Sequence, residues 1–185
     1  MQITRYSFQP HGDARGQLIA LEENQDVPFP IRRVYYMYNT APDAVRGKHA
    51  HRELQQILIC LHGSCKILMD DGEERVTVTL DKPWEGLGIS NAIWREMYDF
   101  SPDAVLMVLA SAPYDESDYI RNYADFLAYV REKRGAGRKD TDGKDDGTDP
   151  ARALEKKKTG RQDTDGRADG ADPARVQERK GGAGQ

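Results

Sequence analysis

Up to about Arg134, turn-forming residues interrupt this chain roughly every 8 to 12 positions, and that rhythm restricts its fold more than any other feature. Pieces so short cannot be βαβ units, whose crossovers need a dozen or more residues, but they suit the strands of a sandwich or barrel. The apolar stretches agree. QLIALEE (17–23) is the first clear strand, and IRRVYYMYN (31–39) alternates, with Tyr36 and Tyr38 on one face. QQILICLHG (55–63) leads into SCKILMDDG (64–72) as a hairpin, and ERVTVTL (74–80) follows the Asp-Gly turn at 71–72. GLGIS, IWREMYDF and AVLMVLAS continue the series. Only DESDYIRNYADFLAYVREKR (115–134) reads as a helix, with Tyr119, Tyr123, Phe126 and Val130 at three- and four-residue spacing and acidic residues in its first turn. The expectation is an all-β barrel closed by a C-terminal α-helix.

Beyond Arg134 the composition changes. Residues 135–185 contain no aromatic side chain and almost no large aliphatic one, too little apolar area to offset the ordering entropy of about 1–2 kcal/mol per residue. The segment also repeats itself, with 13 of 19 positions identical between 137–155 and 160–178. Its paired aspartates lack the spacing of a calcium loop, since Lys144 and Arg167 fall where an oxygen ligand belongs. Two domains of unlike character are expected: a barrel over 1–134 and a disordered polyampholyte tail over 135–185.

A net charge of −4 argues against nucleic acid or an anionic membrane surface as partner. No apolar run approaches the roughly 18 residues of a membrane span. MQITRYSFQP lacks the basic and apolar parts of a signal peptide, which predicts a cytoplasmic location. Cys60 and Cys65 are then expected to be a reduced, half-buried pair.

RGKHAHRELQQILICLHG (46–63) places His49 and His51 on one face of a strand. H-x-H, then a carboxylate and a glycine at set spacing, is the first motif of the metal-binding cupin barrel. Here His49, His51 and Gly63 keep that spacing, but Gln56 stands at the carboxylate position and Arg95 where the later histidine belongs. Arginine repels a cation, and two imidazoles without an anion are a poor ligand set, so no metal is expected. A pair of imidazoles beside a guanidinium suits general acid–base work at a carbon next to a carbonyl. His11 and His62 read as exposed loop residues.

Five stretches in order, DARGQLIALEEN, PFPIRRVYYMYNT, RGKHAHRELQQILICLHGSCKILMDDG, IWREMYDFS and VLMVLASAPYDESDYIRNYADF, make the chain similar to the bacterial sugar 3,4-ketoisomerases of the cupin superfamily, also called the WxcM-like group. The resemblance spans about residues 3 to 132. It implies a jelly-roll barrel that uses no cofactor. The reaction it implies moves the carbonyl of dTDP-4-keto-6-deoxyglucose from C4 to C3, on the way to 3-amino-3,6-dideoxy sugars of surface polysaccharides. It also implies a homodimer with exchanged N-terminal strands.

Carried over by position, His49 takes the C3 proton and delivers it to C4, while His51 and Tyr35 move protons between the oxygens. Tyr36 and Tyr38 read as packing residues. Arg46 and Arg33 suit the diphosphate, which the guanidinium fork binds bidentately. Gln56, Arg15 and Arg95 complete the expected substrate-binding set. The residues at positions 15 and 95 divide galacto-forming from gluco-forming members, and this chain, with arginine at both, mixes the two signatures. Two other functions fit the same residues: a sugar-nucleotide-binding cupin without catalysis, and a dTDP-sugar epimerase. The second would pair its histidine with an aspartate, and none is apparent in sequence near His49.

Overall fold

The computed structural model describes residues 1–139. Twelve strands and one long helix follow in order: β1 (Thr4–Ser7), β2 (His11–Asp13), β3 (Gly16–Leu18), β4 (Arg33–Met37), β5 (Arg46–His51), β6 (Gln56–His62), β7 (Cys65–Asp70), β8 (Arg75–Leu80), β9 (Glu85–Ile89), β10 (Trp94–Tyr98), β11 (Val105–Ala110), β12 (Tyr119–Ile120) and α1 (Tyr123–Lys139). They form one five-stranded sheet ordered β1-β9-β6-β11-β4, another ordered β12-β5-β10-β7-β8, and the small β2-β3 hairpin. All named pairings are antiparallel. The expected β-barrel with a C-terminal helix is what the chain forms.

The main core lies between the two large sheets, where Leu58, Leu87 and Leu106 of the first meet Ile67, Val78 and Met97 of the second. Each sheet is also covered outside. Ile57, Ile59 and Leu109 face outward beneath Phe8, Val27 and Phe29. On the second sheet, Ala50, Trp94 and Ile120 lie beneath Phe126 and Val130 of α1. Coverage on both faces explains the unbroken apolar run of β6, since alternate residues serve different cores.

Several elements depart from the sequence reading. QLIALEE is paired only as far as Leu18, because Ile19 and Leu21 pack on the outer face of the first sheet and not into a ladder. β6 and β7 are no hairpin. They belong to opposite sheets, and Gly63 (φ 68) turns the chain across the barrel at a point where a Cβ would strike Ser101 Oγ. Cys60 and Cys65 are therefore fully buried in the central core, both as free thiols.

The helix begins later than its acidic residues suggest. The Asn122 side chain accepts from the N–H groups of Ala124 (2.8 Å) and Asp125 (3.2 Å), which sets the start at Tyr123. Asp115 instead caps a single 3₁₀ turn over Glu116–Asp118, and Tyr119 falls in a strand. At its other end α1 runs to Lys139, past the boundary expected at 134, while residues 140–185, nearly all of the repeated tail, lie outside the described residues. Tyr36 and Tyr38 are not packed in a core: they are 64% and 61% exposed, with rings 5.9 Å apart.

α1 is fastened at its first turn. The carboxylate of Asp70, 1% exposed, accepts from Arg75 Nε (2.6 Å), the Tyr123 hydroxyl (2.7 Å) and the Gly72 N–H (2.7 Å). Behind this network Phe126 is wholly buried against Trp94 and Tyr123. Phe126→Ala will lower unfolding stability by about 3–5 kcal/mol, the usual cost of an emptied aromatic site, read from urea denaturation.

Candidate active site

β5 carries His49 and His51 on its inner side, with Ala50 between them turned toward the helix. The two rings meet edge to face, centroids 5.0 Å apart. Pairing with β10 sets Arg95 opposite His49, and pairing with β12 sets Tyr119 opposite His51. The first residues of β5 are irregular. The register shifts between Arg95 and Glu96, and Gly47 (φ 84) and Lys48 (φ 54) both adopt left-handed backbone. A Cβ on Gly47 would come within 2.8 Å of the Arg95 carbonyl oxygen, so the bulge needs glycine. The Gly47 carbonyl accepts from His49 Nδ1 at 3.0 Å, which leaves Nε2 of that ring with its lone pair.

Arg95 is 2% exposed and has no carboxylate partner among the described residues. Its guanidinium donates to the His49 carbonyl oxygen (3.1 Å) and to Gln56 Oε1. Gln56, also buried, donates from Nε2 to the Tyr35 hydroxyl oxygen at 2.8 Å. Tyr35 thus accepts one hydrogen bond and keeps its own hydrogen for another partner. Burial holds the Tyr35 phenol above its ordinary range, so it stays protonated near neutrality. Burial pushes Arg95 down to about 10, still cationic at neutral pH.

That buried charge acts on the histidines. Burial first and Arg95 second push His49 down to about 4. The same causes, joined by His49 and two further arginines, push His51 to about 2. Both rings are neutral at neutral pH. His51 is 1% exposed, and neither of its ring nitrogens has a hydrogen-bonding partner. Its Nδ1 lies 2.8 Å from Asp118 Oδ2, close but out of line for a hydrogen bond.

His49 opens on a cleft of about 620 Å³, within the range of small-molecule sites. Arg33, Arg46 and Arg121 line it together with Tyr35 and Tyr119. Arg33 lies 5.3 Å from the Tyr35 ring and 5.6 Å from Tyr114, and its Nε is buried without a partner. Arg121 lies 4.3 Å over Tyr119 and is held by Glu116 through bonds of 2.7 and 2.8 Å.

The structure thus gathers His49, Tyr35, Arg33 and Arg46 around one cleft, with His51, Gln56 and Arg95 buried in contact with them or near them. It does not bring Arg15 there: that side chain is 90% exposed on the β2-β3 hairpin and paired with Asp13. Sequence reading missed Asp118, Tyr119 and Arg121, because a helical spacing was assigned across them, and Tyr114, which stands just before that stretch. The aspartate not apparent in sequence is Asp118, and it lies against His51, not His49. As for a metal, a cation at the imidazoles would meet Arg95 and the neutral Gln56, so these residues do not fit one.

Four likenesses bear on this arrangement. The family model described as FdtA: WxcM-like, C-terminal, matches residues 1–131. A TDP-4-oxo-6-deoxy-alpha-D-glucose-3,4-oxoisomerase of Aneurinibacillus thermoaerophilus is 52% identical over 124 residues, covering 67% of this chain and 89% of its own. The crystal structure of a 3,4-ketoisomerase from Helicobacter canadensis superposes with a TM-score of 0.69 at 47% identity, covering 71% of this chain and 98% of that one. A histidine-to-asparagine mutant of the 3,4-ketoisomerase QdtA from Thermoanaerobacterium thermosaccharolyticum, in complex with TDP-4-keto-6-deoxyglucose, gives 0.69 at 41% identity over 71% and 95%.

The lowered histidines make a pH prediction. An unfolded imidazole binds its proton near pH 6.5, whereas folded His49 does so only near 4. Between those values the unfolded chain holds more protons, so stability is full above about 6.5 and falls as pH drops toward 4. The urea midpoint will be lower at pH 5 than at pH 7, and His49→Asn will narrow that difference. Proton NMR will place the His49 midpoint near 4.

Proposed function

The chain belongs to the FdtA family of WxcM-like C-terminal domains, and from that membership we propose a TDP-sugar 3,4-ketoisomerase that works on TDP-4-keto-6-deoxyglucose by histidine acid–base chemistry. One observation carries the mechanism: a neutral imidazole anchored through Nδ1 stands beside a buried guanidinium and a phenol with a free hydrogen. His49 Nε2 removes the proton from C3, next to the C4 carbonyl, and the electron pair moves to the C4 oxygen as an enediolate. Arg95 and Tyr35 stabilise that oxyanion without reorganising, since both are already held in place. His51 and Tyr35 then carry the O3 proton to O4. Protonated His49 returns its proton to C4, leaving the carbonyl at C3. No atom is gained or lost, and no metal is needed.

Arg33 and Arg46 are the proposed contacts for the diphosphate, and the unpartnered Arg33 Nε supports that role. The product would feed biosynthesis of 3-amino-3,6-dideoxy sugars for surface polysaccharides, in the cytoplasm. Among the described residues no helix is long and apolar enough to cross a membrane.

A homodimer with exchanged N-terminal strands belongs to the same proposal. Ile59, Met107 and Tyr36 stand side by side across β6, β11 and β4 on the outer face of the first sheet. Beside them Leu18 is 61%, Leu61 40% and Trp84 40% exposed, an apolar area suited to a second copy.

The test is incubation with TDP-4-keto-6-deoxyglucose in deuterated water, followed by proton NMR. Wild type will form the 3-keto sugar, and couplings after borohydride reduction will report the C4 configuration. His49→Asn will lose about 10²–10⁴-fold in turnover while TDP binding stays within about twofold. Unchanged turnover in that variant would remove His49 from the mechanism, and binding without any conversion would favour the non-catalytic cupin. Sedimentation velocity will give twice the chain mass, and Leu61→Asp will shift it to one.

A further inference from the structure

His51 has an unusual environment for a buried histidine. It is 1% exposed, its nitrogens have no hydrogen-bonding partner, and its Nδ1 lies 2.8 Å from Asp118 Oδ2, out of line for a hydrogen bond. The aspartate is held from two directions. Its Oδ1 accepts the Glu53 N–H at 2.8 Å, and its backbone carbonyl accepts the Arg52 N–H at 2.9 Å. It also closes the 3₁₀ turn that Asp115 caps. The carboxylate therefore has little freedom to leave the imidazole.

A neutral imidazole carries one proton, on either nitrogen. With it on Nδ1, the positive end of an N–H dipole lies beside the carboxylate, an electrostatic attraction though not an aligned hydrogen bond. With it on Nε2, the Nδ1 lone pair would lie 2.8 Å from a carboxylate oxygen, and the two would repel. Burial first, then Arg95, with His49, Arg33 and Arg121 behind it, disfavour the doubly protonated cation in the resting site. We propose that Asp118 is a positioning residue that fixes His51 as the Nδ1–H tautomer, so that its unpartnered Nε2 accepts the sugar hydroxyl proton during isomerisation.

This deepens the ketoisomerase reading and rests on it. The O3–H bond breaks, an Nε2–H bond forms, and the imidazolium so made lies beside the Asp118 carboxylate, which offsets its charge. The proton then leaves Nε2 for the C4 oxygen, directly or through Tyr35, and His51 returns to its resting form. With His49 anchored by the Gly47 carbonyl, both rings keep their Nε2 lone pairs for substrate, one for a C–H proton and one for an O–H proton.

The tautomer can be read without turnover. In the full chain labelled with ¹⁵N-histidine, two-bond proton–nitrogen correlations at neutral pH will show His51 protonated on Nδ1. Finding Nε2–H in wild type would overturn the inference whatever the activity. Asp118→Asn keeps an oxygen for the Glu53 N–H but turns an amide donor toward Nδ1. It will switch His51 to Nε2–H and cut turnover about 10³-fold, while TDP affinity stays within about twofold. Asp118→Glu will restore both the tautomer and part of the turnover. Full activity in Asp118→Asn, or an unswitched tautomer in the folded variant, would also overturn the inference. A wild type with the Nδ1–H form but no isomerisation would sink the ketoisomerase reading instead.

Discussion

Arg95 faces His49 across the ladder between β5 and β10, and its guanidinium turns inward to neutral acceptors only, the His49 carbonyl and the Gln56 side chain. Most of the site follows from that contact. Burial first, and then a positive charge without a carboxylate beside it, keep both imidazoles neutral, and neutrality is what a proton acceptor needs. The Gln56 amide, fixed at one end by Arg95, turns its nitrogen to Tyr35 and so releases the phenol hydrogen. A conventional ion pair at this place would cancel the field on the histidines. It would also leave a costly buried charge whenever one partner was replaced.

The barrel bears the cost of that charge by being apolar on three levels. The central core lies between the sheets, the segment near Phe8 to Phe29 covers one outside, and α1 covers the other. Because β5 is paired on both edges, by β10 and β12, the histidine strand has little freedom to breathe. The bulge at Gly47 and Lys48 is its one irregularity, and it serves the chemistry by directing a carbonyl to His49. Precision at the site therefore comes from pairing and packing on rigid strands more than from the loops around it.

Much of this was legible in the sequence, and the misses share a physical cause. β4, β6, β8 and β11 announce themselves through alternation or β-branched runs, which are local signals. The histidine pair and the arginine beside it were readable because Gln56 and Arg95 occupy positions fixed by spacing. What sequence could not give is the outcome of competition between distant partners. Residues 64–72 form a strand as expected, but which sheet receives it depends on a turn made possible by Gly63. Tyr119 fits a helical spacing, yet the Asn122 cap starts the helix after it and pairing with His51 captures it as a strand. Asp118 reaches His51 only through that pairing, across a sequence gap no local pattern bridges. Arg15 shows the reverse case, a residue expected at the site that its own chain leaves on an exposed hairpin.

Tyr114, Glu116, Asp118, Tyr119 and Arg121 all come from one stretch of eight residues after the last long strand. The two-residue pairing of β12 with β5, the 3₁₀ turn, the bonds from the Arg52 and Glu53 N–H groups to Asp118 and the burial of Ile120 fix it to the barrel. For an evolving lineage such an arrangement separates inheritance from novelty. The strands preserve the imidazoles and the buried guanidinium, while a short insertion or exchange in this stretch could retune which sugar is accepted. A protein engineer would vary Tyr114, Glu116 and Arg121 in this stretch and leave Asp118, the buried Ile120 and the strands untouched.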